Sequence, residues 1–452
     1  MGKSYPLIPK QVAPVETKYR RIKTKIPVPE SIPVLEKLRE YEPVSMSGQP
    51  PVVWERAEGL NVYDKYGNKW LDFSSGVLVA NAGHGNPRVL EEIRSQLEKP
   101  LLHNYCFPSQ IRSSAVEKLS SLSPAPLKKV FFLTTGAEAV ECAVKLARTR
   151  GKKKNKKAVV SFEGSFHGRT LGAQMVGGLP ALKEWIPCLD SDMYQVPFPG
   201  EPRCRDKSFE YFEKRLEELG VIPEDVCAVI SETYQGVNAA LMPEEYAKKL
   251  RAWCDKNDAV LIFDEIQAGF GRTGRMFGFM HYGILPDLFC LGKGISSSLP
   301  LSAVVGRPDI MDQYEPGAMT STHTGNPLSC AAFLGSIKAI EENNLVENAA
   351  AMGQLFRKEL GRIYERFDCI QFLCGEGLVW GVQAGRKGTD APDAETAFKI
   401  IEKCTEKGLL FFAPVGLGGG TVKINPPLTI NEEAVLEGCA VLEEAIEEVC
   451  SE

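Results

Sequence analysis

The sequence predicts an α/β protein with a large domain, built on a mainly parallel, helix-covered β-sheet, and a smaller α+β domain. Three observations carry that prediction. From about residue 86 short apolar runs alternate with helical patterns, the pattern changes after Pro327, and a strand-like meander lies upstream between Val52 and Phe73.

The apolar runs occupy 130–133, 158–162, 226–231, 259–263, 288–291 and 302–305. Each has strand length and is followed by helix-length sequence, the signature of parallel strands joined by crossover helices. The upstream segment VVWERAEGLNVYDKYGNKWLDF alternates as strands do. It breaks at Glu58-Gly59 and Tyr66-Gly67-Asn68, as a small meander of a peripheral lobe would. After Pro327 a long helical stretch runs past Glu341. Strand candidates follow at 378–383 and 409–412, and a final amphipathic helix begins at Glu432. The expected organisation is an N-terminal arm over 1–50, a first part of the small domain over 51–85, a large domain over 86–327, and the rest of the small domain over 328–452. Prolines fix φ and remove backbone donors, so the arm is read as extended, with order starting near Val52.

Fifty-eight acidic against 53 basic side chains leave a net charge of -5, which offers no general attraction for nucleic acid or an anionic membrane. No stretch approaches the roughly 20 apolar residues that span a bilayer, and the N-terminus lacks a secretory apolar run. Met1-Gly2-Lys3-Ser4 resembles a myristoylation start, but Pro6 stands where the hydroxyl residue belongs. A soluble, cytoplasmic protein with a small bound ligand is expected. The thirteen cysteines form no CxxC with a matching second pair, so neither a metal site nor a disulfide framework is expected. Cys142, Cys227 and Cys330 lie in apolar segments and read as small buried hydrophobes.

The chemistry concentrates at strand ends. Val260-Leu261-Ile262-Phe263 runs into Asp264, and parallel sheets put ligand sites at the carboxyl ends of their strands. An Asp in that place serves equally well as a helix N-cap. Leu288-Phe289-Cys290-Leu291 leads into Gly292-Lys293-Gly294. A lysine kept from water has a depressed pKa and forms Schiff bases with aldehydes. Together the two residues supply what a pyridoxal phosphate (PLP) ring needs, a carboxylate for its nitrogen and an amine for its aldehyde. The strand, turn and helix around Thr134-Thr135-Gly136-Ala137 offer free helix N-terminal amides to a phosphate. This segment itself has neither GxGxxG nor Walker spacing, which argues against a dinucleotide or nucleoside triphosphate there.

TTGAEAVECAVKLAR, FEGSFHGRTLGA, DEIQAGFGRTG, GKGI and THTGNPLSCAA occur in this order, with Asp264 and Lys293 29 residues apart. In these motifs the chain resembles the class III (ω-amino acid type) PLP-dependent aminotransferases, of the 4-aminobutyrate aminotransferase kind, from Gly83-His84 through Pro426-Pro427. The resemblance implies PLP fold type I, with a seven-stranded-type sheet in the large domain and a small domain built from both chain ends. It implies that Lys293 holds the cofactor as a Schiff base and later moves a proton between substrate and cofactor, and that Asp264 keeps the pyridine nitrogen protonated. Gln267 would bond the ring hydroxyl side, Phe166 would stack on the ring, and Gly136 and Ala137 would give amides to the phosphate. Thr322 would reach the phosphate of a partner subunit, which implies a homodimer.

The chain departs from the family near its C-terminus. Where many members carry a forked arginine in R-x-x-P-P-L, this chain reads Lys423-Ile424-Asn425-Pro426-Pro427-Leu428. Lysine keeps the charge and loses the bidentate grip on a carboxylate. Glu232, in SETYQG, matches the family glutamate that neutralises that arginine, and its expected partner here is Lys423. Arg169, in HGRT, is the candidate for a distal carboxylate, with a structural ion pair as the equal alternative. Gly416-Leu417-Gly418-Gly419-Gly420 suggests a loop of close approach or mobility over the substrate channel. The run Lys152–Lys157 reads as solvated helix-end charge, and otherwise as a site for a polyanionic tail such as coenzyme A.

The expected reaction is amino transfer from an ω- or β-amino compound to a 2-oxo acid, pyruvate or 2-oxoglutarate, through a Lys293 Schiff base and pyridoxamine phosphate. Racemisation, epimerisation or amino shift on the same lysine is the alternative, and a 3-aminoacyl-coenzyme A donor is a further one.

Overall fold

The computed structural model describes residues 3–451, so the Met1-Gly2 start of the myristoylation-like segment lies outside the described residues. The chain divides into two compact units, Pro87–Val346 and the combination of Met1–Asn86 with Glu347–Glu452.

The unit 87–346 contains a seven-stranded sheet. Its strands are β1 (Lys129–Leu133), β2 (Ala158–Phe162), β3 (Met193–Val196), β4 (Val226–Glu232), β5 (Val260–Asp264), β6 (Leu288–Leu291) and β7 (Ser302–Gly306). They lie in the order β1-β7-β6-β5-β4-β2-β3, parallel throughout except for β7, which runs antiparallel to both neighbours. Every residue of β2, β4, β5, β6 and β7 is buried, which is why these strands read as unbroken apolar runs. The seventh strand, β3, was not legible: it is an edge strand in which only Val196 is buried.

Helix α1 (Gly136–Lys152) packs Val140, Ala143, Leu146 and Ala147 against Ile230, Ile262, Cys290 and Val304 of the sheet, with Cys142 and Cys227 in the same core. Its start is fixed by a capping box, in which the Thr135 side chain accepts from the Glu138 amide and the Glu138 carboxylate accepts from Thr135 N. At its other end the lysine run is spent on local partners: Lys154 pairs with Asp258, Lys157 with Asp192, and Lys156 donates to the Asn257 carbonyl. The helix-end reading of that run is the one these contacts favour.

The helix after Pro327 breaks in two, Pro327–Glu342 and Leu345–Arg366. The sequence pattern assigns both to the smaller domain, yet Pro327–Glu342 falls within the unit 87–346. Burial of Cys330, Ala331, Phe333, Ile337 and Ile340 explains why, as does Gly335, where a Cβ would meet Arg88 O at 2.7 Å.

The unit made from both chain ends holds a six-stranded and a three-stranded sheet. Order does not wait for Val52: Val15–Glu16 pairs with Arg21–Ile22, Arg21 pairs with Lys69, and Ile32–Tyr41 is helical. Pro33 sits in the first turn of that helix, where a missing N–H costs nothing, so proline marks a helix start here. Ile22, Ile26 and Val28 join Val62, Trp70 and Leu410 in one core cluster. Lys423 lies on Thr421–Ile424, buried, opposite Gly381 of Val379–Ala384. The glycine run forms a tight turn, Leu417–Gly419, closed by a bridge between Val415 and Thr421. A single disulfide joins Cys369 to Cys450, 81 residues apart, among the described residues, where no disulfide framework was expected.

Candidate active site

The carboxyl ends of three adjacent parallel strands bring the charged residues together. Asp264 ends β5 and lies in register with Glu232, which ends β4, and with Cys290 on β6, three residues before Lys293. The adjacency expected for Asp264 and Lys293 is therefore present in the backbone pairing. Lys293 itself has φ 45°, a conformation uncommon for a residue with a Cβ.

The start of α1 closes the opposite side. A Cβ on Gly136 would meet Ile266 Cδ1 at 2.8 Å, and one on Gly292 would meet Ile266 Cγ2 at 3.2 Å and Gly136 Cα at 3.6 Å. Two glycines thus let the Ile266 side chain seat between the helix start and the strand end that carries Lys293. The Gly136 and Ala137 amides have no hydrogen-bond partner among the described residues, and they point along the positive end of a 17-residue helix.

A loop after β2 covers this ground and is tied down residue by residue. Phe166 N donates to Glu232 Oε2 over 3.0 Å, and Gly236 N donates to Glu232 Oε1 over 2.8 Å. His167 Nδ1 lies 2.7 Å from Asp264 Oδ2, while Ile266 N donates to Asp264 Oδ1 over 3.0 Å. Gly168, with φ 134°, rests on Ala137, whose Cβ is 2.6 Å from where a Cβ of residue 168 would stand. Phe166 is half-buried, and the exposed Arg169 guanidinium lies 5.8 Å from its ring centroid. Arg169 makes no ion pair among the described residues, so the structural alternative has no support here.

Burial sets the electrostatics. It raises the Glu232 carboxyl to about 7, against the opposing pull of His167 and its two amide donors. The Lys293 ammonium is pushed below the usual lysine range by burial, which outweighs the attraction of Asp264 and Glu232. Glu265 is also raised to about 7 by burial, and accepts from Thr233 Oγ1 and from the Gly278 and Phe279 amides, bracing the turn after β5.

Gln267 follows this turn, its amide nitrogen 2.2 Å from where a Cβ on Gly236 would stand, so a side chain at 236 would displace it. Thr322 is exposed on the loop before Pro327–Glu342, whereas its neighbour Thr324 is buried and bonded to Phe132 O. Lys423 belongs to the other unit, and the partners of Glu232 described above are all in its own. His167 lies within FEGSFHGRTLGA, but nothing local in the sequence marks it as a site residue, because its carboxylate partner is 97 residues away.

A family model described as aminotransferase class-III matches residues 44–446. The chain belongs to the class-III aminotransferase family. This aminotransferase is 33% identical over 438 residues to the 4-aminobutyrate aminotransferase of Mycobacterium leprae, covering 94% of this chain and 97% of that one. It is 32% identical over 411 residues to the leucine/methionine racemase of Thermococcus litoralis, covering 88% and 91%. The ornithine aminotransferase of Toxoplasma gondii, with PLP at partial occupancy in its active site, superposes with a TM-score of 0.82 at 26% identity, covering 94% and 96%. Fold type I is thereby shown for this aminotransferase. No helix among its described residues is long and apolar enough to cross a membrane.

Proposed function

We propose that this aminotransferase binds pyridoxal 5′-phosphate between Asp264, Lys293 and the start of α1, and moves an amino group from an ω- or β-amino compound to a 2-oxo acid. The observation that carries the reading is the convergence of Asp264 and Lys293, at the ends of adjacent parallel strands, with the unbonded Gly136 and Ala137 amides. That donor set fits the group: a carboxylate for a ring nitrogen, an amine with a lowered pKa for an aldehyde, and a helix N-terminus for a phosphate.

When bound, PLP supplies an electrophilic aldehyde and an electron-withdrawing ring. Lys293 would hold the cofactor through its amine, and that nitrogen, when free, would hold and move the proton at the amine-bearing carbon of the donor. Asp264 would keep the ring nitrogen protonated, and His167 holds that carboxylate in place. Phe166 would stack on the ring and Gln267 would serve the ring hydroxyl side. Arg169 receives a distal carboxylate on the donor, and Glu232 tunes the charge beside it. Lys423 remains a substrate candidate on its chemistry, a single ammonium where relatives carry a forked guanidinium.

Thr322 serves the partner subunit in a homodimer. Supporting this, Leu97, Leu101, Leu102, Tyr105 and Phe107 leave an exposed apolar stretch, whose Tyr105 hydroxyl bonds Thr320 Oγ1 at 2.9 Å. Light scattering of the purified chain tests the dimer.

Incubation with 4-aminobutyrate and no oxo acid is expected to convert PLP to pyridoxamine phosphate, and a screen of pyruvate against 2-oxoglutarate then fixes the acceptor. Similarity to a racemase favours one second reading, isomerisation on the same lysine, in which the substrate turns over without lasting cofactor conversion. A coenzyme A ester donor is refuted by equal kinetics for an amino acid and its ester.

A further inference from the structure

We infer that Glu141, on α1 and outside the cofactor cradle, is the positioning residue for Arg169 and thereby sets selectivity for donors with a distal carboxylate. The inference rests on the proposed role of Arg169 as the cation that meets that carboxylate.

The short helix α2 (Leu171–Val176) begins directly after Arg169-Thr170, and Thr170 at its N-cap makes no side-chain capping bond. The cap comes from α1 instead. Glu141 Oε1 accepts from Thr170 Oγ1, from Gly172 N at 3.1 Å and from Ala173 N at 3.4 Å. These amides are among the four that a helix start leaves unbonded, and a carboxylate there also complements the helix dipole. Gly172 keeps the approach open: a Cβ at that position would stand 3.1 Å from the Glu141 carboxyl carbon and 3.3 Å from both its oxygens.

Upstream of Arg169 the loop is fixed by other residues, Phe166 by Glu232, His167 by Asp264 and Gly168 by Ala137. Downstream, residues 170, 172 and 173 are fixed by Glu141. Arg169 is thus held by its backbone on both sides while its guanidinium, exposed above the Phe166 ring, makes no ion pair among the described residues. Removing Glu141 releases only the downstream side. The contacts of Phe166 and His167 remain, so the loss falls on Arg169 and not on the cofactor cradle.

The test compares E141A, E141Q and R169A in the full-length holoenzyme, using 4-aminobutyrate and butylamine as donors. R169A is expected to raise KM for 4-aminobutyrate by a much larger factor than KM for butylamine. E141A is expected to do the same by about tenfold, with kcat kept within about threefold. E141Q, which retains an acceptor oxygen, recovers most of the loss. Hydrogen exchange at the Gly172 and Ala173 amides accelerates in E141A, with the PLP dissociation constant unchanged. If R169A alters the preference between donors and E141A does not, the positioning inference is wrong. Equal losses on both donors with a lowered Tm also overturn it, since they indicate a merely structural role. If R169A leaves the preference unaltered, the reading of Arg169 fails, and the inference falls with it.

Discussion

His167 Nδ1 stands 2.7 Å from Asp264 Oδ2, both residues are buried, and His167 Nε2 has no hydrogen-bond partner among the described residues. One ring nitrogen is therefore committed to the carboxylate that the proposed cofactor nitrogen needs. Burial opposes a charged imidazole, but the hydrogen bond and charge of Asp264, with Glu232, outweigh it and raise the His167 pKa. A raised histidine pKa contributes stability that is fully present below the unfolded value, about 6.5, and is lost as pH rises through the folded value. In denaturant unfolding, the stability difference between wild type and H167Q is expected to be largest near pH 6 and to shrink toward pH 9. Titrating the apoenzyme of H167Q with PLP should give a dissociation constant raised about tenfold.

Glu232 gives the opposite pH signature to a salt-bridged carboxylate. Its folded pKa, about 7, lies above the ordinary 4.5, so the unfolded chain ionises first and folding loses stability as pH rises between these values. E232Q escapes that loss. Its stability relative to wild type is expected to move in its favour by up to about 3 kcal/mol between pH 4.5 and pH 8. A flat difference across that range would show that the folded chain does not raise the Glu232 pKa.

At Gly168 the backbone has φ 134° and a Cβ would stand 2.6 Å from Ala137 Cβ. G168A is therefore strained twice, by its own conformation and by contact with the helix start. A loss of about 2–3 kcal/mol in unfolding free energy is expected, together with weakened PLP binding to the apoenzyme.

The Cys369–Cys450 link closes an 81-residue loop within the unit made from both chain ends. C450S is expected to lower the unfolding free energy by about 4 kcal/mol, from the freed entropy of the unfolded chain. Thiol titration of the denatured, unreduced wild type should find eleven free cysteines.

What the sequence revealed followed burial. Strands covered on both faces, such as β4 and β5, announce themselves as apolar runs, and their ends locate Glu232 and Asp264. The edge strand β3 carries no such run. The arm helix Ile32–Tyr41 buries no residue fully and begins on prolines, so neither periodicity nor composition marks it. Long-range partnerships were hidden for another reason: His167 with Asp264, Cys369 with Cys450 and Glu141 with the start of α2 are each fixed by tertiary packing, which no local pattern encodes. Motif resemblance supplied Gln267 and strengthened the reading of Lys293, since a lysine between two glycines would suit a surface turn as well.

The central claim is that Lys293 is the amine that holds PLP. Reduction of the holoenzyme with borohydride, followed by peptide mass spectrometry, tests it most directly. The phosphopyridoxyl mass is expected on the peptide containing Lys293 and nowhere on K293A. The same mass on a different lysine, or undiminished labelling of K293A, would contradict it.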